Sequence, residues 1–94
     1  MSEREELYMA ALNYYGGELQ INMVFEEMAE LQKELCKYLR KKDTQNKIEL
    51  IPSIAEEIAD VEIMLEQMKL LFEIENAVEK FKTMKVNRLR ERLK

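Results

Sequence analysis

The chain has 94 residues, 47% of them apolar and 36% charged, with a formal net charge of −4. This length fits a single domain, residues 1–94, and the balance of apolar and charged side chains is globular rather than disordered. The acidic balance gives no overall electrostatic case for nucleic acid, and the lack of histidine removes the commonest general base and the commonest zinc ligand.

Glycine and proline are scarce, with Gly16, Gly17 and Pro52 the whole set, while Glu, Lys, Leu and Met abound. That composition predicts an all-α chain. Ser2 and Glu5 form a capping box, so a first helix starts at about residue 3. It carries Leu7, Ala11, Tyr14 and Tyr15 and stops at Gly16-Gly17; the two tyrosines read as core or interface residues in preference to stacking partners for a ligand ring. The second helix runs from about Glu18 to Lys41, with Val24, Met28, Leu31, Leu35 and Leu39 as its apolar stripe. Cys36, the single cysteine, excludes an internal disulfide, fits a reducing cytoplasm and reads as a small core residue.

The polar run KKDTQNK ends the second helix, and IELIPS is a short connection or a single turn. Ser53 and Glu56 form a second capping box just after Pro52. The third helix then runs from about Ile54 to Phe72, with Ile54, Ile58, Val61, Leu65, Met68 and Phe72 as its stripe. The last helix starts at about Ala77, behind Asn76 as its cap, with Val78, Phe81, Met84, Leu89 and Leu93 apolar. Four helices with short connections make a bundle or a helical-hairpin assembly. A bundle this small gains stability by self-association, and exposed apolar stretches such as LYMAAL favour a homo-dimer or homo-tetramer. No apolar run reaches membrane-spanning length, and MSEREELYMA lacks the apolar core of a signal peptide, so no membrane partner is expected.

One pattern occurs twice, as EEMAEL and EEIADV. On a helical wheel of ~100° per residue, Glu27 lies ~60–70° to one side of the second helix's stripe and Glu30 about 120–130° on the same side. On the third helix Glu57 lies ~60° from the stripe and Asp60 about 120°, again on that side. Glu26 and Glu56 point more nearly outward. Ala29 and Ala59 let another backbone come close. If the two helices pack antiparallel, four carboxylates converge on one volume. Such crowding is tolerable when hard cations sit among the acids, and oxygen ligands without nitrogen or sulfur suit Mg²⁺ or Mn²⁺. Acids at i and i+3 are also common on solvated helix surfaces, and it is the repeated offset that favours a shared site.

These residues resemble the motif of the MazG-type nucleotide pyrophosphohydrolases, within the all-α NTP pyrophosphatase superfamily. That motif is Glu-x-x-Glu, a spacer, then Glu-x-x-Asp, and Glu27-Met-Ala-Glu30 and Glu57-Ile-Ala-Asp60 are similar to it. YGGELQINMVFEE, with Gly16 and Gln20, is similar to the entry into the first motif of small phage-like and Gram-positive members. KVNRLRERL is similar to their basic closing helix. The resemblance spans about Tyr15 to Leu93. It implies an oligomeric four-helix MazG-like bundle that hydrolyses a nucleoside triphosphate to the monophosphate and pyrophosphate with Mg²⁺. It also implies Glu27, Glu30, Glu57 and Asp60 as metal ligands.

A triphosphate meeting this negative site needs bound metal, which would also activate water without histidine. Glu26 or Glu30 would orient that water as the catalytic residue. Lys82, Lys85 and Arg88 lie within two turns of the last helix and read either as phosphate-binding residues or as a solvated basic helix end. Gln20, two turns before Glu27, reads either as a ribose or base contact or as an exposed or capping amide. A non-catalytic helical interaction module that keeps the fold is the alternative to an enzyme.

Overall fold

A computed structural model describes residues 1–94 as five helices: α1 (Glu3–Tyr15), α2 (Gly17–Arg40), α3 (Thr44–Glu49), α4 (Ile51–Leu71) and α5 (Glu75–Arg92). The all-α class is as the composition predicts. The additional element is α3, six residues that span the end of the polar run KKDTQNK and the start of the connection IELIPS. Asp43 caps it, accepting from the Asn46 amide at 2.8 Å, and Lys47 lies 4.7 Å from the Tyr38 ring centroid, which holds α3 back against α2.

The helix ends follow from local chemistry. The Ser2–Glu5 capping box forms, with Glu5 N–H donating to Ser2 Oγ at 3.1 Å and Ser2 N–H to Glu5 Oε1 at 3.2 Å. Gly16 ends α1 at φ 89°, where an L side chain would be strained, and its N–H donates to the Leu12 carbonyl. A Cβ on Gly17 would meet Leu71 at 3.4 Å, so α2 begins against the end of α4. The third predicted helix starts earlier than its sequence signal. Pro52 fits inside the first turn of α4, where its missing N–H has no helical acceptor to lose. Ser53 is therefore within the helix, and the Ser53–Glu56 box does not form; Leu50 is the N-cap, without a side-chain bond. Asn76 is likewise inside α5, whose N-cap is Ile74.

The core is a seam between α2 and α4. Gln20 bonds Gln67, while Glu27 later in α2 lies near Asp60 and Glu57 earlier in α4, so the two helices run antiparallel. Gln20, Val24, Val61, Met64 and Gln67 are buried along the seam, and Tyr8 and Leu12 of α1 complete the buried set. The Tyr8 hydroxyl donates to Glu66 and ties α1 to α4. Burial, then the Glu66 carboxylate, push the Tyr8 hydroxyl above the ordinary phenol value.

The buried faces differ from the predicted stripes. On α1 the inward pair is Tyr8 and Leu12, while Leu7, Tyr14 and Tyr15 are exposed. On α2, Met28, Leu35 and Leu39 are exposed, and so is Cys36, which is not a core residue. On α4 the inward face carries Val61 of the predicted stripe together with Met64 and Gln67, while Ile58, Leu65 and Phe72 are exposed. No residue of α5 is buried. The accessible surface is 7598 Å², against about 5,700 Å² expected of a compact monomer of this mass. The radius of gyration is 16.6 Å, against about 12.4 Å for a compact chain of this length. No helix is long and apolar enough to cross a membrane.

The turn from α4 to α5 places Glu73 at φ 55°, with Ile74 N–H donating to the Lys69 carbonyl at 3.0 Å. This is a left-handed helix end that glycine fits best. Left-handed backbone costs an L residue roughly 1–2 kcal/mol, partly offset by glycine's greater unfolded entropy. Glu73→Gly should therefore stabilise the chain by about 0.5–1 kcal/mol, read as a higher urea midpoint at unchanged slope. Glu73→Val should lower it.

Candidate metal centre

The carboxylates sit where the α2–α4 seam opens to solvent. Val24 and Val61 close the packed part. One turn beyond Val24 in α2 and one residue before Val61 in α4 stand Glu27 and Asp60, and Glu57 lies a further turn along. All three are half-buried, and one carboxylate oxygen from each lies within 4.8 Å of the others. They share an open cleft of about 490 Å³ with Glu26, Ala29 and Glu30.

Glu30 reaches this cleft, but it is exposed and stands outside the tight group of three. Glu26 is exposed at the rim. Ala29 lines the same cleft, as a small residue between the acids must if the helices are to approach. The structure thus brings together all four predicted ligands, three closely and one at the edge.

Charge is crowded here and no protein cation relieves it. The chain's ion pairs are Lys37–Glu34 at 3.0 Å and Lys94–Glu91 at 3.1 Å, both elsewhere. Burial, and then the charges of Asp60 and Glu30, push the Glu27 carboxyl above the usual range. Burial and then Asp60, Glu30 and Glu27 do the same to Glu57. An all-oxygen group of this kind suits a hard divalent cation, which Glu27, Glu57 and Asp60 are close enough together to hold, with Glu30 at the rim of the same cleft.

The other predicted site residues lie apart from the acids. Gln20 is neither an exposed nor a capping amide. It is 6% exposed, and its Nε2 donates to Gln67 Oε1 at 2.7 Å across the seam. It also lines a second cleft, on the side of the seam toward α1. Lys82 lies beside Glu62, Leu65, Glu66 and Lys69 of α4. Arg88 is on the open surface of α5 with Met84 and Asn87, and Lys85 is exposed on the same helix. Within one chain none of these three cations lines the carboxylate cleft. Gln67, Met23 and Met64 escaped the sequence reading, because a Gln on an apolar face and a Met off the predicted stripe give no signal until the helices are paired.

Raised carboxyl pKa values have a definite thermodynamic sign. The folded chain holds protons on Glu27 and Glu57 at pH values where the unfolded chain has released them. Their contribution to stability therefore falls as pH rises from the unfolded value of about 4.3 through the raised folded values. In metal-free buffer, Glu57→Gln should match the parent chain near about pH 4 and exceed its melting temperature progressively toward neutrality. A divalent cation held by these acids would reverse that order at neutral pH, because a ligand of the folded state alone stabilises it. Thermal melts across pH, with chelator and with Mg²⁺, measure both. A variant less stable than the parent at neutral pH without metal would show that crowding of charge does not govern this cleft.

No protein-family model, curated protein or solved structure matches this chain.

Proposed function

We propose that the chain is a Mg²⁺-dependent nucleotide pyrophosphohydrolase of the MazG type, converting a nucleoside triphosphate to the monophosphate and pyrophosphate. The observation that carries this reading is the meeting of two matched acid pairs in one cleft that holds no protein cation. Acids crowded at such a place are a cost to folding, and a cation-dependent function accounts for it. The resemblance of the two motifs supplies the reaction.

In this reading Glu27, Glu57 and Asp60 hold Mg²⁺, or Mn²⁺ in its place, and Glu30 completes the set from the rim. The metal supplies charge neutralisation on the phosphates and an activated water. Glu26 or Glu30, both exposed at the same cleft, would orient the attacking water and accept its proton. The substrate is polyanionic and the cleft acidic, so the acids do not grip the phosphates themselves. Side chains that do so must be cationic, and the chain concentrates them on α5: from Glu75 to Lys94 seven basic residues stand against three glutamates.

Since Lys82, Lys85 and Arg88 of one chain do not line its own acidic cleft, they serve the phosphates of a neighbouring subunit in a homo-dimer or homo-tetramer. The surface in excess of a compact monomer supports such assembly. So does the exposure of Leu7 (64%), Phe25 (62%), Leu39 (76%) and Phe81 (57%). The same uncovered surface favours a second reading, a non-catalytic helical interaction module, and turnover separates the two.

Incubation with mixed nucleoside triphosphates and Mg²⁺ should release pyrophosphate. Glu57→Gln should lower turnover by at least about 10–100-fold, the loss that even outer-shell changes cause at metal sites, with the helical circular dichroism unchanged. Intact triphosphates after prolonged incubation with a folded protein would favour the interaction module. Assembly is read separately, by light scattering at micromolar concentration. The expected mass is two or four times the 11.3 kDa of the chain, and a species of 11.3 kDa alone would rule the oligomer out.

A further inference from the structure

The turn between α4 and α5 differs from the other joints of the chain. Gly16 at φ 89° breaks the chain after α1, the Asp43 side chain caps α3, and Pro52 sits in the first turn of α4. Between Leu71 and Glu75 there is no glycine, no proline and no side-chain cap. Glu73 is the chain's one non-glycine residue at positive φ. We propose that this turn is a two-state joint. In its second state α4 and α5 run on as one helix from Ile51 to Arg92, and two copies of that helix pair antiparallel. The joint stands apart from the nucleotide reading, since no residue of the turn lines the carboxylate cleft.

The first support is the balance of the turn itself. Bent, it holds Glu73 in a backbone conformation that disfavours an L residue. The N–H groups of Glu75, Asn76 and Ala77 find no acceptor within the protein. Straight, Glu73 is helical, and those three groups donate to the Leu71, Phe72 and Glu73 carbonyls one turn back. Little packing opposes the change. No residue of α5 is buried, and neither ion pair of the chain joins α5 to α4.

The second support is apolar spacing. Leu70, Ile74, Ala77, Phe81 and Met84 stand alternately four and three residues apart, the spacing of a seam between two paired helices. The turn cuts this stripe in two, and Ile74, Phe81 and Met84 are exposed in the bent chain. Straightening brings all five onto one face. Ala77 is its midpoint, where a small side chain lets two helices approach.

Charge is the third support, and it names the occupant of that face. From Ile51 to Glu79 eight acids stand against Lys69 alone, and from Lys80 to Lys94 seven bases stand against Glu91 alone. One straight helix is therefore acidic over its first part and basic over its last. An antiparallel pair sets each basic end against the other copy's acidic part, whereas a parallel pair sets like charge against like.

Spin labels at Glu62→Cys and Lys82→Cys, in a Cys36→Ser background, read the joint. Glu62 and Lys82 line one cleft in the bent chain, and twenty residues of continuous helix would set them ~30 Å apart. Labelled chain is diluted into excess unlabelled chain, so that only distances within one molecule are seen. The parent chain should show both the short and the long distance. The long fraction should rise with total protein concentration and fall with added salt. Glu73→Gly should lower the ratio of long to short about tenfold or more relative to Glu73→Ala. Both variants remove the carboxylate, and only glycine favours the left-handed turn over the helix. Phe81→Glu, at a position 57% exposed, should abolish the concentration dependence and keep the contrast between glycine and alanine at residue 73. A short distance alone, in the parent and in Glu73→Ala at every concentration, would overturn the joint. So would a long fraction equal in the glycine and alanine variants. A long fraction indifferent to concentration would overturn the pairing with a second copy.

Discussion

The antiparallel seam between α2 and α4 is the constraint on which the rest of the molecule depends. Five of its residues, Gln20, Val24, Val61, Met64 and Gln67, make up most of a buried set of seven. The Gln20–Gln67 bond fixes how the helices align, because a shift in register would leave two buried amides unpaired at ~1–3 kcal/mol each. The same alignment sets Glu27 against Asp60 and Glu57. A polar pair in the core thus places a charged group at its edge, through two rigid helices and without any loop.

Polarity changes in steps along this seam. The α1 end holds amides, thioethers and tyrosine, the middle holds valines, and beyond them the carboxylates gather around Ala29. Repulsion among Glu27, Glu57 and Asp60 does not part the helices because the packed middle and the amide pair hold them together one and two turns away. The acids remain half-buried and unpaired as a result, and that raises the Glu27 and Glu57 carboxyls together. A lysine at Ala29 would relieve the charge and at the same time close the cleft.

The thin core has a further consequence. Helices that meet along one narrow seam leave their remaining apolar residues outside, and no residue of α5 is buried. Positive charge is concentrated on that helix and negative charge on the body, so two copies of the chain are electrostatically complementary where one copy is divided. The left-handed Glu73 turn sets the direction in which the basic helix leaves α4.

Composition and period determined by themselves that the chain is helical, because scarce Gly and Pro leave few places to break a helix and each long segment repeats at a helical period. Sequence also located the acid pairs, since i, i+3 spacing on a rigid helix fixes relative direction without reference to a partner. The Ser2–Glu5 cap was legible for the same reason: both partners are local. The α4 start was misread, since Pro52 is as compatible with a first turn as with a preceding loop, and α3 was hidden in a polar run with a single cap. Only the tertiary structure decided which faces are inside. Tyr8 rather than Tyr14 or Tyr15, and Met64 and Gln67 rather than Leu65, are buried, because the choice among neighbouring stripes depends on where the other helix lies. It also decided that Gln20 is held across the seam, that Glu30 stands outside the closest three acids, and that the α5 cations stay away from their own chain's cleft. Contacts between residues far apart in the chain are set by how whole helices pack, and no local spacing encodes that.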